Sequence, residues 1–296
     1  MMESPLKSKI FPYLQLMRFA NVFTAIADVL AGYLIVAGAR ISFSVLLALL
    51  LASSSLYAGG CVLNDLRDRE EDARDRPFRP IPSGKVSSLE ALSLCMVLFA
   101  IGLSASLFVG YPSGFIAFSL ILLIFSYNLA TKERDYLGPL NMGCCRTANL
   151  LLGMSPNLSF PAISALFPVI SLLYVFSLTV LSRFEVHSGM GRKRWLVSGG
   201  WAAVVLAAAG LMAEKLLLWE AAIFLLLFIA WTGLPLLRGV SGLKPEAVGG
   251  AVKALILGLP LLDAVYVSGI HGFAFGIPVL LCTVPSVLIS RRLYVT

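Results

Sequence analysis

The chain has 296 residues, of which 58% are hydrophobic and 13% charged, with a mean hydropathy of +0.89. Soluble domains carry about a quarter charged residues, so this composition excludes a water-soluble globular protein and leaves no room for a separate soluble domain. It predicts one all-α, polytopic membrane bundle over residues 1–296, embedded in a lipid bilayer. The net charge of +7 belongs to membrane-flanking loops; without a basic soluble domain it does not indicate nucleic-acid binding. Five cysteines, Cys61, Cys95, Cys144, Cys145 and Cys282, lie in or beside apolar runs without metal-ligand spacing and read as small core residues.

The first apolar run, about residues 13–37, is too long for a signal-peptide core and predicts a retained helix. Nine more follow at about 43–63, 89–109, 113–130, 140–154, 162–182, 195–212, 216–237, 247–269 and 273–289. The fifth, 140–154, is short and polar for a span. Ten spans put both termini and every loop after an even-numbered span on one side. Those segments hold 19 of the 23 Lys and Arg residues, against Arg40 and Lys215 opposite. By the positive-inside rule the basic side, with both termini, is cytoplasmic.

Between the second and third runs lies a block of charge and proline, NDLRDREEDARDRPFRPIPSGK, from Asn64 to Lys85. If the preceding helix continues through it, Asn64, Asp68 and Asp72 recur every four residues on one face. Stacked carboxylates repel unless a cation lies between them. Mg²⁺ takes oxygen ligands, commonly one or two carboxylates together with substrate phosphates and water. The helix must then break, because Arg76 and Arg79 each precede a proline. From that turn the arginines could reach a phosphate; the plainer alternative is a solvated loop obeying the positive-inside rule. Elsewhere, Asp28 and Asp263 are intramembrane acids, which mark a cavity or an internal pair with Arg146 or Lys253.

The order NDxxDxxxD followed by RPxRPIPSG, on Asn64, Asp65, Asp68 and Asp72 and then Arg76 to Gly84, resembles the UbiA superfamily of intramembrane prenyltransferases. That resemblance implies nine core helices around a central cavity; the run at 273–289 is an addition to that plan. It implies transfer of an isoprenyl group from a prenyl diphosphate to an aromatic or other lipophilic acceptor, with Mg²⁺ on Asn64, Asp65, Asp68 and Asp72. Asn21, in the order RFAN, resembles the family's Arg-Pro-x-Asn segment, with Phe19 in place of the proline. Tyr127 and Lys132 resemble the family's tyrosine-plus-lysine segment, the lysine approaching the diphosphate. With Asp68 and Asp72 they form the expected catalytic set; Asn21, Arg76, Arg79, Arg146 and Arg183 form the expected substrate-binding set.

The main departure comes after the sixth run. The family has a second Asp-rich motif there; this chain reads LSRFEVHSG from Leu181 to Gly189. Glu185 is the only carboxylate offered for a second metal position, and Arg183 could replace that metal as a cationic clamp. This wording, with LGPLNMGCCRTANLLLG, resembles a divergent branch found in bacterial Ebo-type gene clusters. The loss of the second motif leaves a rival reading, a non-catalytic binder of terpenoid or quinone-like lipids or an aid to metabolite export.

Overall fold

The computed structural model describes residues 5–185, 191–241 and 245–290, with side chains from Ile10 onward; His187 lies outside the described residues. The described chain is helical from end to end. Helix α1 (Pro5–Leu16) is followed by α2 (Phe19–Ala37), α3 (Phe43–Arg67), a short α4 (Arg69–Asp75), α5 (Ser88–Val109), α6 (Tyr111–Ser126), α7 (Leu137–Met154), α8 (Leu166–Ser182), α9 (Lys193–Ala213), α10 (Ala221–Ser241), α11 (Pro245–Leu257), α12 (Leu259–His271), α13 (Phe273–Leu281) and α14 (Thr283–Ser290). Nine segments among the described residues are long and apolar enough to cross a membrane. Helix α7 is also of transmembrane length among the described residues, with 18 residues, two buried asparagines and Arg146 in its path. The chain is an integral, multi-pass membrane protein.

The expected first span is two helices, not one. Arg18 separates α1 from α2 in a left-handed conformation, φ 47° and ψ 50°. A non-glycine residue there costs about 1–2 kcal/mol, and the turn brings its guanidinium to Asp65 on α3 at 3.3 Å.

Two apolar clusters make up the core, and α2 and α7 contribute to both. One joins them to α3, α5 and α6; the other joins them to α8 through α13. The shared wall is tight because glycines face each other across it. A Cβ at Gly32 would come within 2.2 Å of the Leu150 carbonyl oxygen, and one at Gly153 within 2.3 Å of the Val29 carbonyl oxygen. Small residues at such a crossing allow backbones to approach closely in lipid.

One span is broken. Pro260 ends the continuity of α11 and α12 at Gly258, and a broken helix in hydrocarbon must find other donors for its free carbonyls. Beside the break, the Leu255 and Ala254 carbonyls, which also take the Gly258 N–H, accept from the Tyr174 hydroxyl at 2.8 Å and the Trp231 indole at 3.1 Å. At the far end of the chain, α13 and α14 pack on α2 and α12 as the additional C-terminal crossing.

Candidate active site

The site is built on the end of α3. The helix does not run on through the acidic block: it stops at Arg67, Asp68 has φ −84° and ψ 1°, and α4 restarts at Arg69. Four-residue backbone bonds still link Asn64 to Asp68 and Asp68 to Asp72, but only the first two side chains meet. Asn64 donates from Nδ2 to Asp68 Oδ2 at 2.9 Å, and Lys132 Nζ binds the same oxygen. Asp72 instead turns to Arg79, which it accepts at 2.7 Å, while Asp65 accepts from Arg79 at 3.4 Å and from Arg18 at 3.3 Å. Asp65 and Asp72 are buried, 6% and 5% exposed. Like charges so close require cations between them, and in this arrangement the cations are side chains.

The loop after α4 is what returns Arg79 to the acids. Arg76 precedes Pro77 and closes α4, its N–H bonded to the Asp72 carbonyl at 2.8 Å. Backbone bonds from Arg79 to Arg76, Ser83 to Arg79 and Gly84 to Ile81 then coil the Pro-rich segment into consecutive turns. Gly84 supplies the one positive φ, 72°. A capping box between Ser87 and Glu90 starts α5 directly afterwards.

Lys132 reaches Asp68 because α6 ends in a wide turn. Residues Tyr127–Thr131 take a π-helical turn in which the Lys132 N–H bonds to the Tyr127 carbonyl at 2.9 Å. One extra residue in the turn re-aims the side chains beyond it, a feature frequent at functional sites. Asn141 on α7 clasps it: its amide donates to the Leu123 carbonyl at 3.0 Å and accepts from the hydroxyls of Ser126 and Thr131 at 3.0 and 3.1 Å. Arg183, at the end of α8, donates to the Lys132 carbonyl and lies 3.9 Å from Asp135. Gly138 makes room for it, since a Cβ there would come within 2.4 Å of Arg183 Nη2. Arg183, expected as a cationic clamp, is thus bonded to the lysine loop. Tyr127 opens this turn, within electrostatic reach of Arg183, Arg18 and Asp68.

Other expected site residues stand elsewhere. Arg146 is in mid-span and is committed to Asp28 through Nε and to the Thr24 carbonyl through Nη2. Its partner here is the intramembrane acid, because a guanidinium at this depth needs a carboxylate beside it. Asn149 donates to Asp28 at 3.0 Å and accepts from Ser53 at 2.7 Å, and Asp263 touches Asp28 from α12. Asn21 is buried on α2, 2% exposed, one turn beyond Arg18. Glu185 does not join the α3–α4 acids. Burial pushes its carboxyl above the ordinary range, with Arg76 and Arg18 opposing the shift, and its Oε1 is buried without a hydrogen-bond partner.

Among the described residues no three acidic, histidine or cysteine side chains gather as a ready metal cage. The donor chemistry nevertheless fits Mg²⁺: Asn64, Asp68 and Asp72 offer oxygen, and this ion needs only one or two carboxylates beside phosphate and water. The sequence reading missed Asn128, buried beside Lys132, and Gln15 and Phe78, which line the recess of Arg18, Arg76 and Arg79. Asn128 was signalled by its place next to Tyr127; Gln15 and Phe78 carried no signal, since only the break at Arg18 and the coiled loop bring them together.

Comparison with known proteins agrees with this architecture. The profile of the UbiA prenyltransferase family matches residues 25–182. A digeranylgeranylglyceryl phosphate synthase of Saccharolobus solfataricus is 31% identical over 170 residues, 57% of this chain and 59% of that protein. The one from Methanopyrus kandleri is 30% identical over 250 residues, 83% of this chain and 86% of that protein. For the Saccharolobus protein and its Sulfurisphaera tokodaii counterpart, the matched stretch spans about three fifths of their own length. Among solved structures, a UbiA homolog from Archaeoglobus fulgidus bound to GPP and Mg²⁺ superposes with a TM-score of 0.68 at 17% identity, covering 91% of this chain and 99% of that one. A digeranylgeranylglyceryl phosphate synthase structure gives 0.67 at 21% identity, covering 89% and 99%. With the α3–α4 motif, the helical plan and the matched segment in agreement, the chain belongs to the UbiA prenyltransferase family.

Proposed function

We propose that this chain is an Mg²⁺-dependent intramembrane prenyltransferase, a single domain over residues 1–296, which transfers an isoprenyl group from a prenyl diphosphate to a lipophilic acceptor. The observation that carries the reading is the meeting of Asn64, Asp68 and Lys132 at the end of a buried helix pair, a hard-oxygen donor set beside a single ammonium. The solved Archaeoglobus relative was captured with a prenyl diphosphate and Mg²⁺, which supports the same ligands here. The basic loops support an orientation with this mouth and both termini facing the cytoplasm.

Mg²⁺, held by oxygens of Asn64, Asp68 and Asp72, would neutralise the leaving diphosphate. Lys132 serves as a compact point charge for the same oxygens, exchanging Asp68 for phosphate. Asn141 and Arg183 keep the lysine turn in place from α7 and α8. Arg79 lies between Asp65 and Asp72 and gives both buried carboxylates a cationic partner. As the allylic C–O bond breaks, its electron pair leaves with the diphosphate; the apolar helix walls keep water from the carbon, and the Tyr127 face stabilises its charge by about 0.5–2 kcal/mol. The acceptor then bonds to that carbon and releases a proton.

Purified protein in detergent, given Mg²⁺, a panel of prenyl diphosphates and membrane lipid extract, should release diphosphate and form a prenylated lipid. Asp68→Ala should lower the rate at least about a hundredfold, as removal of a transition-state charge stabiliser does. No release across the panel, with tight lipid binding retained, would favour the non-catalytic lipid handler instead.

A further inference from the structure

The deepest polar cluster of the bundle has no part in the proposed chemistry. Asp28 lies at the middle of α2, and Asp263 lies on α12, just over one turn past Gly258 at the broken span. Both are 2% exposed. The two helices pack together, and Asp263 hydrogen-bonds Asp28 across their contact. The titratable groups facing the pair are Arg146 of α7, Tyr174 of α8, Tyr266 of α12 and Cys282 between α13 and α14. Arg146 is the one cation among these described neighbours. Two ionised carboxylates would therefore meet one guanidinium and leave a surplus negative charge in hydrocarbon, which is costly.

The hydrogens around the pair are already committed. Arg146 gives Nε to Asp28 and Nη2 to the Thr24 carbonyl. Asn149 gives its amide hydrogens to Asp28 at 3.0 Å and to the Ala25 carbonyl at 2.9 Å. The Ser53 hydroxyl turns to Asn149 Oδ1 and the Ala25 carbonyl. None of these donors bonds Asp263, whose Oδ2 is buried without a hydrogen-bond partner. An ionised carboxylate only accepts, so a hydrogen bond between two acids needs a hydrogen that belongs to one of them. Arg146 and Asn149 use Asp28 as an acceptor, which leaves Asp263 as the acid that carries it. A hard metal ion is the poorer occupant, since it takes several oxygen ligands and would stand beside the Arg146 guanidinium.

We propose that Asp28 and Asp263 together bind one proton in the middle of the bilayer, and that this shared proton joins α12, the second half of the broken span, to α2. With it the cluster is neutral. The site needs neither Mg²⁺ nor turnover, so it stands or falls apart from the transferase reading.

Infrared spectroscopy of the protein in phosphatidylcholine nanodiscs tests it. A Glu185→Gln background removes a second carboxyl that burial raises. At neutral pH this protein should show the C=O stretch of a protonated carboxyl, shifted down in heavy water and lost on adding Asp263→Asn. Asparagine keeps a neutral donor toward Asp28, so Asp263→Asn should retain the parent Tm, whereas Asp263→Val should lower it by about 5 °C. Raising the pH until the carboxyl band fades should lower the parent Tm relative to that of Asp263→Asn, because the joining proton is lost while the amide hydrogens stay. Absence of the band from the parent protein would overturn the proposal, as would a band that survives both Asp263→Asn and Asp28→Asn. A Tm that rises with sodium but not choline chloride at fixed pH would overturn it too, by showing a metal ion in the proton's place. Equal loss of Tm in Asp263→Asn and Asp263→Val would refute the joining of α12 to α2.

Discussion

Arg146 shows how a residue's depth decides its role. It is 10% exposed in its side chain, Asp28 is 3% exposed, and the two meet in the middle of the α2–α7 wall. Arg146→Met should destabilise the protein by about 3–5 kcal/mol, because Asp28 is left as an uncompensated buried charge. Adding Asp28→Asn should recover a large part of that loss. Thermal and denaturant unfolding in detergent measure both; equal stability of the single and double variants would contradict the pairing. The sequence showed the intramembrane acid and base, and their pairing stood among its alternatives. It could not show that Arg146 would turn to Asp28, since that depends on α2 and α7 lying side by side.

The elements that matter most are those with the least regular chemistry. Helix α7 is the least apolar of the transmembrane-length helices, yet it joins both halves of the core and supplies Asn141, Arg146 and Asn149. Its polarity made its span hard to delimit from hydropathy, and the same polarity reflects its central position, where helices rather than lipid surround it. Its fit against α2 depends on Gly32 and Gly153. Gly153→Val should separate the helices, with an overpacking penalty of about 1–3 kcal/mol and a weakened Arg146–Asp28 pair. A lowered Tm together with reduced transfer would register it; an unchanged Tm would mean a looser crossing. The wide turn at Tyr127–Thr131 was not legible, because no residue type specifies it: the hydrogen bonds of Asn141, ten or more residues later, hold it open.

For the whole molecule, the proposed orientation, in which α7 crosses together with the nine apolar segments, puts the α3–α4 loop and the α9–α10 connection on opposite faces. With the native cysteines replaced, a cysteine at exposed Glu71 should react with an impermeant thiol reagent from the cytoplasmic side, and one at exposed Lys215 from the other. Labelling of both from the same side of oriented vesicles would refute the even count and, with it, the orientation of the mouth.

Composition and the length of the apolar runs determined the membrane bundle, and the residue order from Asn64 to Gly84 determined the family resemblance. Both are local properties: a span is about 20 consecutive apolar residues, and a motif is a string. Which carboxylate meets which cation was decided only by tertiary structure. The break at Asp68 turns neighbouring acids in different directions, the left-handed turn at Arg18 delivers a cation from another helix, and the turn clasped by Asn141 delivers Lys132. Charges seek partners through space, so their pairing is set by helix packing and not by sequence spacing.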